Sequence, residues 1–378
     1  MKIGLLTMPP ISNYGGIIQA YALQTVLQRM GNDVNVLNRQ YGGYGDSYYQ
    51  KYRTIAIRKV KSILGKEDEY ERYQKPFEYV IRKPQEFVNK YLKLTRPLYL
   101  THELKKEARD NQYDAYVVGS DQIWRPKYVT NIYNYYLDFV KDKHAKKMAY
   151  AVSFGVDSWE YNDIETEVCG RLAKEFDAIS VREDSGVKMC EKYLGVHAQH
   201  VLDPTILLDK QDYIELINKE DVASSDGDMF CYILDNSETK TKFIERISDQ
   251  TGKKPYLCRP KFEPTNRNLD EHIEDCVFPS IVQWLQSFVD AKMVVVDSFH
   301  GAVFSIIFNK PFWVIKNPSR GEARFASLLK QFDLSERLIS EDKLPKDLLK
   351  PIDWSHVNSI RLKLQSESLD FIEKTLNS

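Results

Sequence analysis

Residues 293–315, MVVVDSFHGAVFSIIFNKPFWVI, decide the fold. Met293–Val296 is a run of β-prone apolar residues and reads as a buried strand. Residues 302–308 make a short apolar helix, Pro311 stops it, and Phe312–Ile315 opens the next strand. Between the first strand and the helix lies Asp297-Ser298-Phe299-His300-Gly301, at the carboxyl end of the strand. Open α/β sheets bind ligands at that end. The following helix directs its free N–H groups and the positive end of its dipole into the same crevice. A histidine there can meet an anionic substrate as a proton donor, with Asp297 as the group that would orient its ring. The competing reading is a structural histidine hydrogen-bonded to Asp297.

Outward from this unit the same alternation recurs. Residues 2–7, 34–37, 115–118, 147–153, 178–181, 229–234 and 255–258 read as strands. Helices are expected over 15–30 (closed by Gly31), 164–176, 184–194 (followed by Gly195), 238–251, 280–290 and 354–376. The pattern predicts two Rossmann-like α/β domains with mostly parallel sheets facing across a cleft. The first spans 1–210, the second 211–353, and a helix closes the chain over 354–378. Residues 41–105 interrupt the first domain with no clear buried strand, and one or two amphipathic helices are expected there. Ile55, Ile57, Val60, Ile63 and Leu64 form their apolar side amid Lys51, Arg53, Arg58, Lys59 and Lys61. The insertion reads either as a solvated excursion packed on the domain or as a basic aromatic face for a lipid-linked acceptor at a membrane surface.

At 378 residues the chain is too long for one ordinary core. Its 53 basic and 54 acidic residues leave no net field favouring nucleic acid, and no nucleic-acid motif is present. The five cysteines, Cys169, Cys190, Cys231, Cys258 and Cys276, are scattered and never paired as C-x-x-C. That argues against a disulfide framework and a zinc site, and for a reducing compartment. The start, MKIGLLTMPP, has too short an apolar run for a signal peptide, and no apolar stretch reaches membrane-spanning length. A cytoplasmic protein is expected. The 24 tyrosines suit either sugar-binding surfaces or half-buried positions.

Three further loops fall at strand ends. In Asn13-Tyr14-Gly15-Gly16 the glycines let backbone approach a ligand at a helix start, or simply make a tight turn. In Gly119-Ser120-Asp121-Gln122, Asp121 is a candidate base or sugar-hydroxyl acceptor, or an Asx-turn carboxylate. Arg182, after the strand A-I-S-V, needs an anionic partner: a ligand, or Glu183 or Asp184. Arg320 and Arg324 follow the strand 312–315 and face the same crevice, or begin a solvated helix.

Taken in order, NYGGIIQAYALQ, VVGSDQIW, the SFG after Ala151-Val152, AISVREDSG, VLDPTILL and VVVDSFHGAVFSIIFNKPF resemble the polysaccharide pyruvyl transferase family. The resemblance runs from residue 13 to about 330 and leaves the insertion and the tail uncovered. It implies a fold similar to GT-B glycosyltransferases, phosphoenolpyruvate as donor substrate, no cofactor or metal, and a saccharide acceptor for cell-surface polysaccharide. The first domain would be the acceptor side and the second the donor side. Matched by motif, Arg182 and His300 would lie at the donor site; Ser120, Asn13, Gly15, Gly16, Ser298 and Gly301 are further candidate substrate-binding residues. One departure is plain: some members carry arginine where Ser298 stands, as R-L-H. Either Arg320 or Arg324 supplies that charge, or the donor differs. His300 would protonate the enol methylene carbon, and Asp121 would deprotonate the acceptor hydroxyl. Two other readings stand beside this one. A nucleotide-sugar glycosyltransferase would use Glu271, Glu274 or Asp275 on the nucleotide. A saccharide-binding relative would have kept the fold and lost the chemistry.

Overall fold

The computed structural model describes residues 1–41, 48–63, 69–317, 321–341 and 344–378. Six strands form the first sheet: β1 (Lys2–Leu6), β2 (Asp33–Val36), β3 (Ala115–Val118), β4 (Lys146–Val152), β5 (Ala178–Val181) and β6 (Gln199–His200). Their order is β2-β1-β3-β4-β5-β6, and every pairing is parallel. The second sheet comprises β7 (Met229–Tyr232), β8 (Pro255–Tyr256), β9 (Met293–Val296), β10 (Phe312–Ile315) and β11 (Leu338–Ile339). It runs β11-β10-β9-β7-β8, again all parallel. Strands such as AYVV and MVVV are buried at every residue, as expected for parallel sheets covered on both faces.

Helix α1 (Tyr14–Arg29) connects β1 to β2, and Gly31 just beyond it adopts φ +83°. Among the described residues four helices lie between β2 and β3: α2 (Tyr48–Ile63), α3 (Glu69–Val80), α4 (Arg82–Tyr91) and α5 (Thr101–Asn111). The stretch 41–105 therefore holds more helix than its pattern suggested. Its last part also runs along the sheet edge, where Leu94 bridges Val36 and Leu98 bridges Arg39. On α2, Ile55, Ile57, Val60 and Ile63 are 44–76% exposed, so this apolar side does not pack on the domain. Leu64 and the side chains of Lys51 and Lys61 lie outside the described residues. By contrast α3 and α4 are anchored: Val80 and Ile81 pack with Leu269 and Cys276, and Phe87 meets the Tyr21 ring at 5.6 Å.

Helices α6 (Asp163–Ala173) and α7 (Asp184–Met189) complete the first set, and α8 (Lys210–Asn218) leads to the second sheet. There α9 (Glu238–Thr251), α10 (Asn266–Glu271), α11 (Ile281–Asp290), α12 (Phe299–Ile307) and α13 (Glu322–Gln331) make the crossovers. The terminal helix α14 (Trp354–Asn377) returns to the first sheet. Ser368 Oγ accepts from Leu202 N at 3.1 Å, and Gln365 Nε2 donates to Leu207 O at 2.9 Å. One continuous apolar core runs from Ile3, Ile17 and Leu23 to Phe288, Val303 and Phe325, so the two sheets' helical layers pack on each other. All five cysteines are buried free thiols.

Helix α12 begins three residues earlier than its apolar run indicated. Ser298 is its N-cap, accepting a hydrogen bond from Gly301 N at 3.0 Å, and Phe299, His300 and Gly301 form its first turn. The cap, rather than the hydrophobic periodicity, sets where the helix starts.

Candidate active site

The first turns of α1 and α12 meet face to face. Asn13 caps α1 by accepting from Gly16 N at 3.2 Å. A Cβ added to Gly15 would sit 2.0 Å from His300 Nδ1, so the imidazole rests directly on the α1 backbone. Gly301 is likewise required, because a Cβ there would lie 2.6 Å from Ser298 Oγ and 2.7 Å from a Val296 methyl. Both helices present free N–H groups and positive dipole ends to the space between them.

Asp297 does not orient His300. Its carboxylate accepts from Leu234 N at 2.6 Å, Asp235 N at 3.2 Å, Lys240 Nζ at 2.7 Å and Asn317 Nδ2 at 3.1 Å. Those bonds tie the ends of β7, β9 and β10 together. The carboxylate beside the imidazole is Asp203, whose Oδ2 lies 3.7 Å from His300 Nε2. At that separation the contact is electrostatic rather than a hydrogen bond.

Asp203 is a hub. Its Oδ1 accepts from Thr205 N at 3.0 Å and Thr205 Oγ1 at 2.7 Å, while Oδ2 accepts from Arg182 Nη1 at 2.8 Å. Arg182 Nη2 donates to Asp121 Oδ1 at 2.9 Å. Arg182 thus clamps two carboxylates, its side chain only 1% exposed, and neither is the neighbouring Glu183 or Asp184. Glu183 turns away and accepts from Ser153 Oγ at 2.9 Å and Phe154 N at 2.8 Å. Ser120 braces the Asp121 loop from inside: its Oγ donates to Ala151 O at 3.0 Å and its N–H to Gln19 Oε1 at 3.0 Å. Asp121 itself adopts φ +71°.

Burial works against ionising Asp121, but Arg182, His300 and Arg324 outweigh it and hold this carboxyl below its ordinary range. Burial opposes the Asp203 charge too, and His300, Arg182 and Thr205 overcome it, holding this carboxyl well below its ordinary range. Arg324, in the first turn of α13, is buried rather than solvated, and its pKa is pushed down to about 10 by burial and by Arg182. It stays cationic at neutral pH. The Phe299 ring lies 4.6 Å from the Arg182 guanidinium carbon and 5.7 Å from that of Arg324, a cation–π contact for each.

The resulting cleft is small, about 60 Å³, and its lining includes Asn13, Gly15, Asp121, Ser298, His300 and Arg324. These come from both domains. Arg182 and Ser120 stand behind the lining, and Arg320 lies outside the described residues. Asp203, Phe299, Tyr232 and Leu234 are site residues that the sequence alone did not single out. The Asp-Pro-Thr signal was present in VLDPTILL, where Asp203 caps the turn Pro204–Leu207. Glu271, Glu274 and Asp275 have protein partners of their own: Arg267 at 3.2 Å, the Tyr79 hydroxyl at 2.6 Å and Lys261 at 2.8 Å. Among the described residues no group of three or more His, Cys, Asp or Glu side chains could hold a metal ion.

Among solved structures, UGT71G1 of Medicago truncatula, crystallised with UDP-glucose, is similar at 11% identity and TM-score 0.49, covering 100% of this chain and 97% of that one. UDP-GlcNAc 2-epimerase from Neisseria meningitidis is similar at 10% identity and TM-score 0.47, covering 100% and 99%. Acinetobacter baumannii MurG gives 9% identity and TM-score 0.47, covering 99% of both chains. No curated protein sequence matches the chain. The family model of the polysaccharide pyruvyl transferases matches residues 13–319, which include α1, the Asp121 loop, Arg182, Asp203 and the His300 turn. The chain belongs to the polysaccharide pyruvyl transferase family.

Proposed function

We propose that this protein moves the enolpyruvyl group of phosphoenolpyruvate onto two hydroxyls of a saccharide, forming a pyruvate ketal on an intermediate of cell-surface polysaccharide. The observation that carries this reading is the placement of His300 between two helix N-termini, backed by the Asp203 carboxylate and facing a cleft lined by Arg324. Arg324 and the α1 and α12 N–H groups receive the phosphate and carboxylate of the donor. Arg324 thereby takes the place of the arginine that other members carry where Ser298 stands. Arg182, enclosed by two carboxylates, positions Asp121 and Asp203 rather than binding the donor directly.

Protonated His300 gives its proton to the methylene carbon of the enol, leaving an oxocarbenium centre at the phosphate-bearing carbon. A saccharide hydroxyl attacks that carbon, phosphate departs, and a second hydroxyl closes the ketal. Of the two hydroxyl protons, one restores His300 and one leaves with phosphate. Asp121, whose low pKa makes it a weak base, accepts the hydroxyl hydrogen bond and orients attack while Asp203 stabilises the imidazolium. The cleft, at about 60 Å³, is tight for the donor, which enters as the two domains part.

The exposed Ile55, Ile57, Val60 and Ile63 of α2, together with Arg53, Arg58 and Lys59, support a lipid-linked acceptor met at the inner face of a membrane. No helix among the described residues is long and apolar enough to cross one. Phosphate release from phosphoenolpyruvate, measured with and without fragments of cell-surface polysaccharide, tests the reading. Release must require acceptor and fall at least about hundredfold in His300→Ala. Thermal stabilisation by a nucleotide sugar, with none by phosphoenolpyruvate, would overturn it.

A further inference from the structure

A second hollow, of about 600 Å³, opens beside the cleft and takes no part in the chemistry above. Pro10 and Ile11 line it, and two residues further along the same loop Asn13 lines the catalytic cleft. Gln85 Nε2 fixes that shared loop to α4 by donating to Pro10 O at 2.9 Å and Ile11 O at 2.7 Å. The hollow lies between the helical insertion and the second domain, since α3 supplies one wall and α10 another.

Its chemistry is uniform. Four aromatic side chains, Tyr41, Tyr73, Phe77 and Tyr99, face it, and four amides, Gln40, Gln74, Gln85 and Asn266, interleave with them. Among the described residues no Lys, Arg, His, Asp or Glu lines it. Aromatic faces pack on the C–H faces of sugar rings, and the amide oxygens accept from hydroxyls, since Gln40, Gln74 and Gln85 already spend N–H groups on Asn38, Glu78 and the Pro10 and Ile11 carbonyls. Among the described residues no cation is placed to bind phosphate, a nucleotide or an acidic sugar in the hollow. Its volume lies within the range of small-ligand sites and admits a short oligosaccharide.

We propose that this groove is an acceptor subsite for a neutral oligosaccharide, holding the sugar units next to the one that enters the catalytic cleft. The inference rests on the ketal-transfer reading for its name as an acceptor subsite. The helical insertion then acts as a specificity element, since α3 contributes Tyr73, Gln74 and Phe77.

Saturation-transfer NMR on the full chain without donor tests it, with cellotriose and maltotriose as neutral probes and trigalacturonic acid as the charged control. A neutral trisaccharide should bind with a millimolar Kd, and the acid about tenfold more weakly. Tyr73→Ala and Asn266→Ala should each weaken the neutral probe about fivefold or more. Gln74→Glu, at an exposed position where the amide only bonds Glu78, should weaken the acidic probe further; it keeps the test valid if Tyr73→Ala unfolds. No neutral binding in the millimolar range, equal binding of the acid, or binding unmoved by all three substitutions would overturn the groove. Binding without any turnover of phosphoenolpyruvate would instead refute the ketal-transfer reading and leave the groove standing as a saccharide site.

Discussion

Gly15→Ala is the sharpest probe of the converging helices. The added methyl would lie 2.0 Å from Nδ1, 2.4 Å from Cγ and 2.8 Å from Cε1 of His300. Ordinary contact begins near 3.4 Å, so the imidazole must retreat by about 1.4 Å. It has little room, with Asp203 3.7 Å away and the Phe299 ring centroid at 5.4 Å. The backbone at Gly15 is helical, and alanine gains about 1 kcal/mol of helix propensity there. Overpacking the histidine costs about 1–3 kcal/mol, so net stability should change by no more than about 2 kcal/mol. Displacing a reacting group by about an ångström costs about hundredfold in turnover. Gly16→Ala is the internal comparison, because its nearest neighbours, Asn13 Cγ and Asp121 Oδ2, would be 3.4 Å away. Steady-state phosphate release and urea unfolding on both variants give the answer. Gly15→Ala turning over within about threefold of the parent, or Gly16→Ala as damaging as Gly15→Ala, would refute the argument.

Asp203→Asn leaves Arg182 with one carboxylate and should cost about 3–5 kcal/mol in denaturant unfolding. A loss below about 1 kcal/mol would show that Asp203 is no hub. The folded-state pKa values of Asp121 and Asp203 are lowered, so the unfolded chain takes up protons first as pH falls. Their stabilisation is complete above about pH 4 and declines as pH drops further toward their folded values. Urea midpoints should therefore fall less steeply below about pH 4 in Asp203→Asn than in the parent. Arg324→Met should weaken phosphoenolpyruvate binding about tenfold or more by calorimetry, because the cleft loses its lining guanidinium.

The alternation of strands and helices was legible because each element carries its own apolar period: 293–296 and 238–251 fall where their patterns place them. The start of α12 was not, because one hydroxyl, Ser298 Oγ, extends the helix beyond its apolar run. The site was half legible. His300, Gly15 and Asp121 stand at strand ends and do converge. The partners of Arg182 were hidden because they lie 61 and 21 residues away, whereas adjacent Glu183 and Asp184 offered a local answer. Glu183 adds to the field at Arg182, but its carboxylate is taken up by Ser153 Oγ and Phe154 N, so it forms no ion pair there. Asp297 misled for the opposite reason: nearness in sequence suggested an imidazole partner, but its oxygens are taken by Leu234, Asp235, Lys240 and Asn317.

Protonation of the methylene carbon of an enolpyruvyl donor by His300 is the step on which the proposed function turns. Running the reaction in D₂O with phosphoenolpyruvate and a saccharide acceptor, then examining the product by mass spectrometry and NMR, tests it directly. One solvent deuterium should appear in the methyl group of each pyruvate ketal, with product formation lost in His300→Ala. A product methyl without solvent deuterium, or full labelling and turnover in His300→Ala, would contradict it.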